Sequence, residues 1–266
     1  MIRDITIGQY YGTDSPIHRL DPRTKLAGTL LYLISLFIAG NIWCYLAATV
    51  FLFIVIRLSR VPVSYMVKGM KAIIFLLLLS VVFQLFLTKG TPLIDFWIIH
   101  ISREGLTLAV FTAIRLVYLI LGSNMMTLTT TPNGLTDGLE KSLGFLKKIK
   151  VPVHDISMMM SIALRFIPIL IEETDKIMKA QMARGADFES GNLLQRVKNM
   201  VPLLVPLFIS AFRRASDLAM AMEARCYRGD EGRTKMKPLK YQKRDAAAYA
   251  AVLGYFALVV TLQVCL

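Results

Sequence analysis

LAGTLLYLISLFIAGNIWCYLAATVFLFIVI, residues Leu26–Ile56, is an apolar block of 31 residues interrupted at its middle by Gly40-Asn41. As one helix it would rise about 46 Å at 1.5 Å per residue. A bilayer's hydrocarbon core is only about 30 Å thick, and Gly-Asn is a turn signal. The flanking charges decide between one long helix and two short ones. Arg3, Arg19, Arg23 and Lys25 precede the block, while Arg57, Arg60, Lys68 and Lys71 follow it. Cytoplasmic flanks collect Lys and Arg, so both ends belong on the same side and the block reads as two spans. Asp21 is placed to cap the first of them, with Pro22 in its first turn.

Outward from this block the pattern repeats. The loop Leu58–Met70 is basic and contains Val61-Pro62; a third span follows at Ala72–Leu87, broken by Thr88-Lys89-Gly90-Thr91-Pro92. Leu93–Gly105, with Trp97 and His100 and few charges, suits the outer interface, where aromatic rings are favoured. A fourth span occupies Leu106–Thr130 and holds Arg115 near its middle, which must face other helices because an unpaired charge in lipid is costly. Ala246–Leu266 is a fifth. The chain is 55% hydrophobic with mean hydropathy +0.56, gathered into blocks rather than dispersed stripes. These features define an all-α integral membrane protein of about five transmembrane helices with cytoplasmic amphipathic helices. The polar Met1–Lys25 lacks the apolar core of a signal peptide, so the N-terminus is expected in the cytoplasm and the C-terminus outside.

The net charge is +13, and 20 of the 31 basic residues lie between Lys141 and Arg244. The positive-inside rule accounts for that bias, and no aromatic-plus-basic motif interrupts it, so nucleic acid is not an expected partner. Cys44, Cys226 and Cys265 form no C-x-x-C pair, which argues against a zinc site or a disulfide framework. The organisation expected is residues 1–131 as an N-terminal cytoplasmic segment and four spans, 132–243 as a cytoplasmic region, and 244–266 as the last span.

Within the cytoplasmic region a short amphipathic helix carries Leu135, Leu139, Leu143 and Leu146. The polar island Val151–Gly229 then supplies two long amphipathic helices. The first has a stripe from Ile156 through Met159, Ala163, Phe166, Leu170 and Ile177, opposite Arg165, Glu172, Glu173, Asp175, Lys176 and Lys179. The second has Leu203, Leu207, Ala211, Ala215, Leu218 and Met222 opposite Arg213, Arg214, Asp217 and Glu223, with Pro202 and Pro206 marking its start or a kink. Steps of three and four define each stripe. Each helix ends in A-x-x-A-R: Ala180-Gln181-Met182-Ala183-Arg184 followed by Gly185, and Ala221-Met222-Glu223-Ala224-Arg225 followed by Cys226.

A guanidinium presents five donors in a rigid fork that suits a carboxylate or a helix C-terminus on a partner. A single arginine at a helix end is ordinary, since it complements the macrodipole. Two in matching contexts read as display. Nine of the 14 methionines also lie between Val151 and Met236, and flexible thioethers suit adaptable surfaces as well as loose interiors. Enzymatic signals are sparse. There is no G-x-x-x-x-G-K-[ST] phosphate loop and no H-E-x-x-H, and His18, His100 and His154 are scattered. Glu172, Glu173 and Asp175 read as a solvated helix face, so no metal and no cofactor is expected.

Leu20-Asp21-Pro22-Arg23-Thr24-Lys25, Ala163-Leu164-Arg165-Phe166-Ile167-Pro168, Ala180 through Phe188, and Ala221 through Arg225 together resemble the transmembrane T component (EcfT) of energy-coupling factor transporters, over nearly the whole chain. The family carries two A-R-G triplets; here the second reads Ala224-Arg225-Cys226. The resemblance implies a non-catalytic scaffold of a vitamin or micronutrient importer in a prokaryotic cell membrane. It would join two cytoplasmic ATP-binding-cassette ATPases to a membrane-embedded, substrate-binding S component. It implies that Ala183, Arg184, Gly185, Ala224 and Arg225 bind the ATPase partners and that coupling helices pass ATP-driven closure to the S component. Two other readings stand beside it. One is an integral membrane enzyme acting on a lipid or isoprenoid through Arg115 and the Glu172–Asp175 acids, and the other is a channel or carrier with Arg115 on its path.

Overall fold

The computed structural model describes residues 10–70, 73–88, 91–96, 99–188, 192–229, 236 and 238–265. Arg3, Lys71, Ala72, Lys89, Gly90, Trp97 and Leu266, together with the side chains of Lys68 and His100, used above in reading the sequence, lie outside that description. The chain divides into two compact units: Gly8–Ser142 with Leu239–Leu266, and Leu143–Pro238.

In the first unit the Leu26–Ile56 block breaks where expected, into α1 (Pro22–Ile38) and α2 (Ile42–Ser59). A short α3 (Val63–Met70) stands where the sequence suggested a loop. Then come α4 (Ile74–Leu87), an antiparallel hairpin of β1 (Pro92–Phe96) and β2 (Ile99–Ser102), α5 (Arg103–Thr129), α6 (Pro132–Ser142) and, after the second unit, α9 (Lys243–Cys265). The hairpin falls in the stretch read as interfacial and caps the α4–α5 turn, with Ser102 accepting from the Gly105 N–H at 3.0 Å to start α5.

Residue contacts fix the helix directions. The Asp21 N–H donates to Asp245, the Tyr255 hydroxyl meets Ser35, and the Gly40 N–H donates to Gln263. So α1 and α9 run parallel along their length. Lys25 Nζ donates to the Thr129 carbonyl at 2.7 Å, and Arg115 Nη2 to the Ala39 carbonyl at 3.0 Å, so α5 is antiparallel to α1. Tyr45 stacks on Phe111 and Thr49 meets Tyr118, so α2 runs with α5. The starts of α1 and α9 and the ends of α2 and α5 therefore share one end of the unit, and Arg19, Arg23, Arg57, Arg60, Lys243 and Arg244 cluster there by sequence position.

The core lies between α1, α2, α5 and α9 and is built of Tyr32, Leu36, Cys44, Tyr45, Ala48, Leu52, Tyr255 and Val259. Phe51 and Tyr255 stack at 4.3 Å between ring centroids. Gly122 is needed because a Cβ there would sit 2.6 Å from the Tyr32 ring. Outward faces are apolar instead: Phe37 is 67% exposed and Phe75 75%. Such faces belong against lipid, where a soluble protein would place charge.

Polar groups are spent on helix ends. Asp21 caps α1 as expected, accepting from the Arg23 N–H at 2.9 Å while its carboxylate pairs with the Arg23 guanidinium. Asp245 is buried. It accepts from the Gln242 N–H that opens α9 and from the Asp21 N–H and Thr24 hydroxyl of α1, tying the two helix starts together. His18 anchors the preceding segment. Its Nε2 donates to the Tyr11 carbonyl and its Nδ1 accepts from the Ser15 hydroxyl, while burial holds its basicity below the usual histidine range.

The second unit contains a 3-10 helix (Leu143–Ile149), α7 (Val153–Ala183, 31 residues) and α8 (Leu193–Ala224, 32 residues). The 3-10 segment ends the helical reading of Leu135–Leu146, splitting it between two pieces. Pro202 and Pro206 lie inside α8, which begins a further turn or more upstream of them, so they mark compliance within the helix and not its start. Among the described residues four helices are long and apolar enough to cross a membrane: α2, α5, α7 and α9, with α4 shorter; α1, read above as a span, falls outside the set at 17 residues with Arg23 and Lys25 in its first turn. The sequence reading had kept α7 out of that set because of its charged C-terminal half; its N-terminal half satisfies the requirement alone. The fold is that of an all-α integral membrane protein with one small hairpin.

Candidate functional site

The two A-x-x-A-R segments lie in the second unit and end their helices in the same way. At the end of α7, the Gly185 N–H donates to the Met182 carbonyl and the Ala186 N–H to that of Gln181, both at 3.0 Å. At the end of α8, the Cys226 N–H donates to the Glu223 carbonyl at 2.8 Å and the Tyr227 N–H to that of Met222 at 3.0 Å. This paired 6→1 and 5→2 pattern is the Schellman ending, which needs a left-handed residue just past the cap. Gly185 has φ +87° and Cys226 φ +56°. Cysteine stands at 226 where the family's triplet has glycine, and the second ending has the same geometry as the first. Arg184 and Arg225 are the two C-cap residues. Both are exposed, as are Ala183 and Ala224. Neither guanidinium has a hydrogen-bond or ion-pair partner among the described residues.

The helices pack antiparallel. Glu173 of α7 meets Ser210 and Arg214 of α8, and Ile162, Phe166 and Leu170, earlier on α7, share the lining of a cavity of about 290 Å³ with Ala215, Leu218 and Met222, later on α8. The two arginines therefore are not brought together. Each stands at an outer end of the pair, on the order of 35 Å from the other for straight helices. Part of the α7 stripe, including Ile156, Met159, Met160 and Ile167, remains exposed rather than meeting α8, as expected of a surface meant for something else.

Glu173 had been read as part of a solvated face with Glu172 and Asp175, and Arg214 as lying opposite the α8 stripe. Instead they bridge the helices. Glu173 Oε1 accepts from the Ser210 hydroxyl at 2.6 Å, and Oε2 accepts from Arg214 Nη2 at 2.6 Å and Nε at 3.2 Å. The missed signal was available: Glu173 and Arg214 are opposite charges separated by 41 positions, the separation of Arg184 and Arg225.

Arg115, in the first unit, faces other helices as expected. Its Nε donates to the Tyr45 hydroxyl at 3.1 Å and its Nη2 to the carbonyl of Ala39, the C-cap of α1. It is thus a cation at a helix C-terminus, a placement the helix dipole favours. Arg115 and Glu173, the groups that enzyme and carrier readings require, are both engaged in holding helices.

A protein-family model described as cobalt transport protein (CbiQ) matches residues 13–236. The chain belongs to that family. Among its curated relatives, the energy-coupling factor transporter transmembrane protein EcfT of Clostridium kluyveri is 56% identical over 255 residues, covering 95% of this chain and 94% of the relative. The protein of the same description from Ruminiclostridium cellulolyticum is 49% identical, covering 99% and 98%. That from Bacillus subtilis is 47% identical, covering 99% of this chain and 100% of the relative. With its apolar helices, the chain is a transmembrane component of energy-coupling factor transport: a transport subunit and a membrane protein.

Proposed function

We propose that the chain is the scaffold on which an ATP-driven importer of a vitamin or micronutrient is assembled, and that Arg184 and Arg225 each hold one ATP-binding-cassette ATPase. The observation that carries this reading is the duplicated helix ending. Two exposed C-cap arginines, each beside an exposed alanine and followed by a left-handed residue, stand at opposite ends of one antiparallel pair. A partner with two equivalent grooves would meet two equivalent plugs. The small alanine lets the partner's surface approach, and the guanidinium, with no partner among the described residues, offers its donors in a rigid fork. Hydrolysis belongs to the partners, and α7 and α8 pass their closure to a membrane-embedded S component that binds the nutrient.

In this reading residues 1–131 and 244–266 hold the protein in the bilayer and 132–243 belong to the cytoplasmic side. The apolar half of α7 then lies against protein or lipid without the helix crossing. Arg165 within that half and Glu172, Asp175, Lys176 and Lys179 beyond it make a full crossing costly.

The test is co-purification from the native membrane through a tag on this chain, beside an Arg184→Glu/Arg225→Glu variant. The parent should bring down two ATPase subunits and a small hydrophobic protein, and the variant should lose the ATPases. Losing a partly desolvated charged contact costs about 2–5 kcal/mol, so the loss should be plain on a gel. A variant that keeps its full complement of ATPases would remove the docking role from these arginines.

A further inference from the structure

The Glu173–Arg214 pair stands at a special place in the α7–α8 repeat. Arg184 lies 11 residues after Glu173, and Arg225 lies 11 residues after Arg214. Eleven residues are three helical turns to within about 20°, so each bridging residue and the arginine beyond it lie on one face of their helix, about 16 Å apart along the axis. Equivalent positions of the two helices are therefore bonded to each other, and the arginines leave that bond in opposite directions by equal lengths.

The apolar part of the interface sets the register poorly; beyond it, Asn199 of α8 donates to the Asp187 carbonyl in the segment after α7 at 2.7 Å. Ala211, Ala215 and Ala219 face Ile162, Phe166 and Leu170 across the cavity of about 290 Å³. Contacts of this kind are non-directional and incompletely packed, so a shift of one helix along the other costs little. The carboxylate of Glu173 takes three donors from α8, and a slide of one turn would break all three. Fixing register is the best-attested use of polar groups shielded between helices, and here 23% of the Glu173 side chain and 41% of the Arg214 side chain stay exposed. Compliance lies next to this point as well. Pro168 precedes Glu173 by five residues and Pro206 precedes Ser210 by four, and each proline deletes one backbone hydrogen bond of its helix.

We infer that Glu173 and Arg214 are positioning residues, an ion-pair clasp that sets the distance and relative direction of Arg184 and Arg225. The inference rests on the docking role proposed above. It makes the spacing of the two docking points depend on the Glu173 cluster more than on the apolar interface around it.

The test uses the full chain in lipid nanodiscs with nitroxides on non-natural side chains at positions 179 and 220, which are exposed and related by the same repeat. Pulsed electron paramagnetic resonance gives the distance distribution for the parent, Glu173→Arg, Arg214→Glu and the charge-swapped double variant. Each single variant should broaden the distribution, and the swap should return it to the parental width. ATP hydrolysis by the complex purified through this chain should fall about tenfold in each single variant and recover in the swap, as expected of a directly coupled pair. A general loss of stability would not be rescued by reversing both charges. Parental distances in the single variants, or a swap that stays broadened, overturns the inference. If the distances respond but Arg184→Glu/Arg225→Glu retains its ATPases, the clasp stands and the docking role falls.

Discussion

Cys226 holds a backbone conformation that glycine adopts at little cost, with φ +56°. A side chain in the left-handed region costs about 1–2 kcal/mol, and the cap at the end of α8 carries that strain while the cap at α7 does not. Cys226→Gly should therefore raise the thermal unfolding midpoint of the detergent-solubilised chain, adding about 1 kcal/mol, and Gly185→Ala should lower it by a similar amount. A Cβ at Gly185 meets open space, so the second effect would come from backbone strain alone. Opposite signs at the two positions are the outcome to look for; equal signs would mean the caps differ. The arginines and their helix ends were legible from A-x-x-A-R. The equivalence of the caps was not, because a Schellman ending is made of backbone bonds and the one side chain that advertises it is missing from the second copy. Glu173 was hidden for another reason: a charge on an amphipathic helix looks solvated until the neighbouring helix supplies its donors.

At the scale of elements, the apolar blocks and the Gly40-Asn41 break gave α1, α2, α5 and α9 to within about four residues at each end. What they left open was which faces meet, since a span that is apolar all round has little periodicity to read. The structure answers with small residues and aromatic rings. Gly122 of α5 receives the Tyr32 ring, which is itself backed by Phe51 and Tyr255. The ring cannot swing away, so Gly122→Ala forces α1 and α5 apart and should cost about 1–3 kcal/mol. Thermal unfolding followed by intrinsic fluorescence would register it, and a variant as stable as the parent would show that the ring has room to move. Arg115 and Lys25 hold the same helix pair at two levels by donating to carbonyls at helix ends. The sequence required Arg115 to face protein; only the structure supplied the α1 C-terminus as its partner.

For the whole molecule, helix direction and charge agree. The parallel α1 and α9 start at the end where α2 and α5 finish, and that end is the basic one. Inverted and right-side-out vesicles treated with a membrane-impermeant maleimide would test the orientation. In a Cys226→Ser background, which removes the other exposed native thiol, Arg60→Cys and Lys240→Cys should react from the cytoplasmic side only, and the native Cys265, exposed at the far end of α9, from the outside only. Reaction of Cys265 and Lys240→Cys from the same side would invert or break the assigned path. The bonds that join α1 to α9 link residues separated by 220 to 224 positions. During synthesis α1 must therefore wait for some two hundred further residues before Tyr255 and Val259 can fill the space beside Tyr32 and Cys44. Until then Tyr32 has Phe51 of α2 and Gly122 of α5 beside it but not Tyr255, and the Asp21 N–H at the basic end has water in place of Asp245. The α1–α9 seam is therefore the last part of the bundle able to close, however early the other helices pack.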